Sequence, residues 1–297
     1  MIAFVFDEFN YLLAYLREMG LTSGDFTIER YPNQELRAQL KTPARNKDCA
    51  IVGTIAPPDH NLVEFTLLTH TLKQAGASSV VAVLPYLAYA RQDKAQAGEG
   101  LGMAWAGQLL AASGIDQIIS VDIHSQADAE LLPIPLKSLN PAKLLAQSVK
   151  ELHAPDIVIV APDRGALERV SQTASAAGVK RVAHLEKVRS KGVTHLKLVG
   201  EAKEKAVIVD DILDTGETLI SAAKQLQKAG VKEITVAVSH ALFTGQDWQK
   251  LWRWGVKRIY CLDTIPAVTA MRSFRIKVIA CGPLLARSLR AHLARGR

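Results

Sequence analysis

Nowhere do the 297 residues reach the run of about 18 apolar side chains that a membrane-spanning helix needs, so no membrane partner is expected. The apolar opening, Met1 to Phe6, runs straight into Asp7 and Glu8. It lacks a basic lead and a small-residue cleavage site, and reads as a first strand rather than a signal peptide. Cysteine is scarce: Cys49, Cys261 and Cys281 are far apart, lie among apolar neighbours and form no Cys-x-x-Cys pair. Buried thiols in a reducing cytoplasm account for this better than metal or redox chemistry. Aromatic residues are few and are not interleaved with basic ones as in single-strand binders, which disfavours nucleic acid. What the chain does carry is positive charge, 36 Lys and Arg against 29 Asp and Glu, net +7. That excess suits small anionic partners such as nucleotides or sugar phosphates. The length suits two domains better than one.

One pattern recurs five times: a helical stretch, a glycine, a short polar step, then an apolar strand. It occupies residues 74–86, 111–124, 176–185, 228–240 and 254–263. The glycine supplies the left-handed residue that ends a helix. The Val/Ile-rich run after it is too short for a helix and reads as a buried strand. Strands alternating with helices imply parallel sheets covered on both faces. Residues 72–89 and 226–243 align without a gap, and each is preceded by a strand and helix, in 51–68 and 208–223. The chain therefore reads as two copies of one α/β unit. The boundary falls near 131–145, where three prolines interrupt the pattern.

The most informative segment is 206–223. An apolar strand, 206–209, ends in Asp210 and Asp211; a loop with Asp214, Thr215, Gly216, Glu217 and Thr218 follows, and then a helix. Carboxylates at the carboxyl end of a parallel strand lie where such folds bind ligands. A loop entering a helix offers backbone N–H groups to a phosphate, and Gly216 lets the backbone come close. Adjacent acids beside a phosphate site are costly unless they bind hydroxyls or a metal, and ribose hydroxyls meet that need. A simple helix cap at Asp214 or Thr215 leaves four acidic groups in eight residues unexplained.

This segment resembles the phosphoribosyl-binding signature shared by type I phosphoribosyltransferases and the ribose-phosphate pyrophosphokinases. In the first copy the corresponding turn, Pro57-Pro58-Asp59-His60-Asn61, lacks the acidic pair. A degenerate copy joined to an intact one is the arrangement of the pyrophosphokinase family. Further runs resemble that family: residues 84–95 (Arg91-Gln92-Asp93), 120–126 (Val-Asp-Ile-His), 157–170 (Pro-Asp-Arg-Gly-Ala, with Arg169), 184–192 and 261–267 (Asp-Thr-Ile-Pro). The resemblance implies an α/β fold of two tandem phosphoribosyltransferase-like (type I) domains, each a mainly parallel sheet flanked by helices. Residues 1–139 would be the degenerate, ATP-side domain and 140–297 the ribose 5-phosphate domain. The last helix, 283–295, either closes its own domain or crosses back to the first.

The resemblance also implies an enzyme that transfers the diphosphoryl group of ATP to ribose 5-phosphate, giving PRPP and AMP with Mg²⁺. It assigns ribose 5-phosphate to Asp210, Asp211, Asp214, Thr215, Gly216 and Thr218, and ATP to Arg91, Gln92, Asp93, Asn33 and Glu35. His124 and Asp163 would hold the metal. Lys187 and Arg189, in what the family uses as a flexible loop, would be catalytic. A cytoplasmic homo-oligomer is implied as well.

Departures cluster away from the sugar-phosphate loop. The family's Phe-x-Asp-Gly-Glu reads Tyr31-Pro32-Asn33-Gln34-Glu35, its Arg-Glu-Pro-Ile-Ser reads Gly98-Glu99-Gly100-Leu101-Gly102, and its Arg-Gly-Lys-Asp-Val reads Arg45-Asn46-Lys47-Asp48-Cys49. Two other readings stay open: a divergent paralogue using another sugar phosphate or donor, and a non-catalytic subunit associated with such enzymes. Retention of Lys187, Arg189, Asp210, Asp211 and His124 argues against the second.

Overall fold

The five glycines that punctuate the repeated pattern, Gly76, Gly114, Gly178, Gly230 and Gly255, all adopt positive φ, between 75° and 100°. Each releases the chain from a helical segment into a strand, as a left-handed terminator does. The computed structural model describes residues 1–90, 98–125, 129–152, 156–190, 193–271 and 273–295. It divides into two compact units, Met1–Leu139 with Gly282–Arg297, and Asn140–Cys281.

In the first unit, strands β1 (Ile2–Val5), β2 (Thr22–Gly24), β5 (Asp48–Val52), β6 (Ser79–Leu84), β7 (Gln117–Val121) and β8 (Leu136–Leu139) form one sheet in the order β2-β1-β5-β6-β7-β8. Every pairing in it is parallel. β3 (Phe26–Arg30) and β4 (Leu36–Leu40) make a separate antiparallel hairpin. Helices α1 (Leu13–Glu18), α2 (His60–Gln74) and α3 (Gly102–Ser113) belong to this unit. The strands lack polar alternation because both sheet faces are covered: Phe4, Ile51, Val81, Val83, Ile118 and Ile119 are wholly buried. Burying each such side chain contributes about 1.5–3 kcal/mol.

The second unit holds α4 (Ala142–Lys150), β9 (Ile157–Ala161), α5 (Leu167–Ala177), β10 (Val182–Ser190), β11 (Val193–Val199), β12 (Lys205–Leu213), α6 (Glu217–Lys228), β13 (Glu233–Ala241), β14 (Val256–Leu262) and β15 (Ile276–Ile279). Its sheet order is β11-β10-β9-β12-β13-β14-β15, antiparallel only between β10 and β11. The terminal helix α7 (Gly282–Arg295) belongs to the first unit, against α1, β7 and β8. Its first residue is a glycine, and a Cβ at that position would run into the Tyr15 ring.

The aligned segments found in the sequence become equivalent β-α-β units. β5-α2-β6 and β12-α6-β13 each bring two neighbouring parallel strands to the middle of a sheet. Two local readings are corrected. The strand before the phosphate loop does not end at Val209: it continues to Leu213, because Ile212 and Leu213 keep pairing with His240 and Ala241. The segment holding Lys187 and Arg189 is not a loop but most of a β-hairpin, with Lys187 opposite Leu196 and Arg189 opposite Thr194. Only Val182–His184 of β10 pairs with β9; from Leu185 onward its strand partner is β11, while Leu185, Leu196 and Leu198 pack on the core of the second unit. Among the described residues no helix is long and apolar enough to cross a membrane.

Candidate active site

β12 delivers two carboxylates into the interior of its carboxyl end. Asp210 is 8% exposed and Asp211 5%, although a strand offers each charge little solvation. Two local interactions make this tolerable. The backbone N–H of Asp211 donates to Asp210 Oδ1 at 3.0 Å. The Arg169 guanidinium, on the first turns of α5, straddles the pair, Nη1 3.9 Å from Asp210 and Nη2 3.9 Å from Asp211. Burial nevertheless pushes the Asp210 carboxyl well above the ordinary range, with the Asp211 charge adding to the rise and Arg169 opposing it. The site thus stores electrostatic cost that a hydroxyl donor or a cation would relieve.

Immediately beyond, Asp214 is half-buried and Thr215 exposed, and Gly216 caps α6 in a left-handed turn at φ 86°. The Gly216 carbonyl accepts the N–H of Ile220 at 2.8 Å, opening the helix. Thr218 lies on the first helical turn and is exposed. That turn is the positive end of a twelve-residue helix, suited to a phosphate. A Cβ on Gly216 would come within 2.9 Å of the Trp248 Cα as well as sitting at a disfavoured φ. Gly216→Ala will therefore cost about 2–3 kcal/mol, read as a lower denaturant midpoint; an unchanged midpoint would show that the turn tolerates a side chain.

Asp163 follows β9 in the same unit and is exposed. Its Oδ1 accepts the Ala166 N–H at 3.1 Å, which shapes the turn into α5, and its charge contributes to the raised Asp210 carboxyl. Lys187 is exposed on the hairpin arm, two positions from Arg189. In the first unit, His124 is exposed three residues past β7. Asn33 and Glu35 form the tip of the β3–β4 hairpin: the Glu35 N–H donates to Asn33 Oδ1 at 3.2 Å and Tyr31 N–H to the Glu35 carbonyl at 2.8 Å. Arg91, Gln92 and Asp93 lie outside the described residues. Sequence reasoning singled out Arg169 only by its place in a motif. It missed the buried chain in which Thr264 donates to the Ser239 carbonyl at 2.9 Å and its oxygen meets His240 Nδ1 at 2.9 Å. Asp263 it noted only as part of the Asp-Thr-Ile-Pro run, without its bond from the Cys281 N–H at 2.6 Å. No local spacing announces contacts between residues so far apart in the chain.

Of the two residues assigned to a metal, Asp163 offers the carboxylate oxygen that a hard divalent cation prefers, and His124 a less usual imidazole nitrogen. Among the described residues no group of three His, Cys, Asp or Glu side chains is placed to hold one ion. Magnesium fits such a set, because it is commonly bound by one or two protein oxygens together with substrate phosphates.

An acidic pair near the carboxyl end of a central parallel strand, followed by a glycine turn and a helix N-terminus, places the second unit among phosphoribosyltransferase-type domains. Residues 129–271 match the phosphoribosyl transferase domain model, and residues 13–114 match the N-terminal domain of ribose phosphate pyrophosphokinase. The chain is 30% identical over 277 residues to a ribose-phosphate pyrophosphokinase of Campylobacter jejuni, covering 92% of this chain and 89% of the relative. It is 31% identical over 278 residues to the enzyme of that name from Thermosipho africanus, with 91% and 87% covered. The crystal structure of phosphoribosylpyrophosphate synthetase from Mycobacterium smegmatis superimposes with a TM-score of 0.88 at 27% identity, over 99% of both chains. The chain belongs to the ribose-phosphate pyrophosphokinase family, whose members are enzymes.

Proposed function

We propose that the protein is a ribose-phosphate diphosphokinase that transfers the diphosphoryl group of ATP to the anomeric hydroxyl of ribose 5-phosphate, giving PRPP and AMP. The observation that carries this reading is the buried Asp210–Asp211 pair set directly before the Gly216 turn of α6. Asp214, Thr215, Gly216 and Thr218 receive the 5-phosphate, with the helix N-terminus supplying N–H donors. Asp210 and Asp211 accept hydrogen bonds from the ribose hydroxyls, and so fix the sugar by both ends. The anomeric oxygen then bonds to the β-phosphorus while the bond from that phosphorus to the oxygen bridging the α-phosphorus breaks. AMP leaves with that oxygen, and the hydroxyl proton passes to solvent.

Lys187 and Arg189 neutralise the charge that grows on the transferred group and on departing AMP. Arg91, Gln92, Asp93, Asn33 and Glu35 hold the nucleotide. His124 and Asp163 would hold Mg²⁺, which when bound supplies charge neutralisation at the phosphate oxygens. The rest of the catalysis is positioning. The three cysteines are free and buried, which supports a reducing, cytoplasmic setting; a homo-oligomer is part of the same reading. Asn33, where the family pattern has Asp, favours one competing reading, a donor other than ATP.

Incubation with ribose 5-phosphate, ATP and Mg²⁺ is expected to yield PRPP and AMP in equal amounts, and excess chelator to abolish both. Full activity in chelator would remove the metal from the reaction. Absence of AMP alongside an active control enzyme would overturn the proposed transfer.

A further inference from the structure

The phosphate-receiving turn is gripped from β13, the strand beside its own. Where β12 gives way to the turn, the Leu213 carbonyl accepts two N–H groups from the exit of β13. That of Leu242 lies at 2.8 Å and that of Phe243 at 3.2 Å. A peptide unit is planar and trans, so holding this carbonyl sets the direction of the Asp214 N–H, the first amide of the turn. Phe243 takes its place at φ 52°, a left-handed conformation that a bulky residue adopts only when its surroundings impose it. Its ring meets that of Trp248, centroids 4.5 Å apart. Trp248 belongs to the 3-10 helix Asp247–Trp254 and is 8% exposed, packed into the core of the second unit. The Trp248 backbone is what a Cβ on Gly216 would strike. The turn is therefore held twice, at Leu213 by the N–H groups of Leu242 and Phe243 and at Gly216 by Trp248. The exit of β13 is itself tethered, since the Thr264 hydroxyl donates to the Ser239 carbonyl at 2.9 Å.

Phe243 has no polar side-chain atom to offer a substrate, so its backbone strain has a use only through what it holds. Strain of this kind collects where geometry serves a ligand. Amide donors bind an anion best when they are aimed before it arrives. We propose that Phe243 and Trp248 are positioning residues for the phosphate end of ribose 5-phosphate: an uncharged clasp that keeps the turn of residues 214–218 in its receiving shape. They act through the turn and not on the sugar. This inference rests on the reading above that the turn receives the 5-phosphate.

Phe243→Gly removes the ring and suits the left-handed backbone, whereas Phe243→Tyr keeps the ring against Trp248. Kinetics with each substrate varied separately, calorimetric binding of ribose 5-phosphate and thermal unfolding should be measured for the parent and the variants. Phe243→Gly is expected to raise KM and Kd for ribose 5-phosphate about tenfold, with kcat and KM for ATP within about twofold of the parent. Phe243→Leu, a milder loss of the same contact, should raise the sugar constants about fivefold, and it decides the matter if the glycine variant does not fold. Phe243→Tyr should bring them back to within about twofold of the parent. A residue that only supports the fold would lower kcat with the folded fraction and leave KM unmoved. Equal losses for both substrates, or a tyrosine variant as impaired as the leucine one, would overturn the clasp. If the parent itself bound no ribose 5-phosphate, the functional reading would fall and this inference with it. Parent binding that the glycine and leucine variants match would sink the clasp alone.

Discussion

Lys187→Ala will lower kcat about a thousandfold while leaving ribose 5-phosphate affinity within about twofold of the parent, the pattern of a cation that acts on developing charge. The lysine is exposed on the β10–β11 hairpin, beyond the three residues that join β10 to β9. Its removal opens no cavity, so thermal unfolding should not move. The phosphate-receiving turn lies on a different segment, between β12 and α6. Sugar binding therefore has no reason to depend on Lys187, whereas phosphoryl transfer loses one of the two side-chain cations assigned to the charge on the leaving AMP. A steady-state rate with saturating substrates and an equilibrium measurement of sugar-phosphate binding check the two halves separately. A kcat within about tenfold of the parent would remove Lys187 from the transfer step. A large loss of sugar affinity would instead mean that the hairpin helps to build the sugar site.

Local periodic signals were legible in the sequence, and contacts made at a distance were not. The five glycine-to-strand transitions could be read because chain stiffness and left-handed backbone leave a signature within a few residues. The acidic pair and the Gly216 turn were legible for the same reason: strand, loop and helix start are contiguous. The extent of β12 was not, since two aspartates are poor strand formers; pairing of Ile212 and Leu213 with β13 overrides that preference. The Lys187 hairpin was hidden similarly, because its polar residues read as a solvated loop until β11 pairs with them. Arg169, 41 positions before Asp210 in the chain, could be located on the acid pair only once β9, α5 and β12 were assembled. The bond from the Tyr89 hydroxyl to Asp59 Oδ1, 2.8 Å long, shows the limit most clearly. One partner lay inside a motif and the other in a turn set aside as degenerate, and nothing in spacing joined them.

Asp210→Asn is expected to make the protein more stable at neutral and alkaline pH while raising KM for ribose 5-phosphate about ten- to hundredfold. Asparagine has the same shape, and its carbonyl can still accept the Asp211 N–H that now binds Asp210 Oδ1. What it removes is a buried charge facing another. An unfolded aspartate releases its proton near pH 3.9, whereas burial and Asp211 raise the folded Asp210 carboxyl well above that. A raised folded value means that the native state retains a proton the unfolded chain gives up. The associated stability is fully present below the unfolded value and is lost as pH rises through the folded one. Asparagine undergoes no such loss, so unfolding curves of the parent and the variant should converge in acid and separate towards alkaline pH. The gain should be on the order of 1–2 kcal/mol, the scale on which neutral replacements of buried charges stabilise folds. Arg169 then keeps Asp211, 3.9 Å away, as a countercharge. Equal stability of the two proteins at pH 8 would show that Arg169 already cancels the repulsion. A stabilised variant with unaltered sugar affinity would separate the acid pair from ribose binding, and Asp211 alone would have to carry the contact with the sugar.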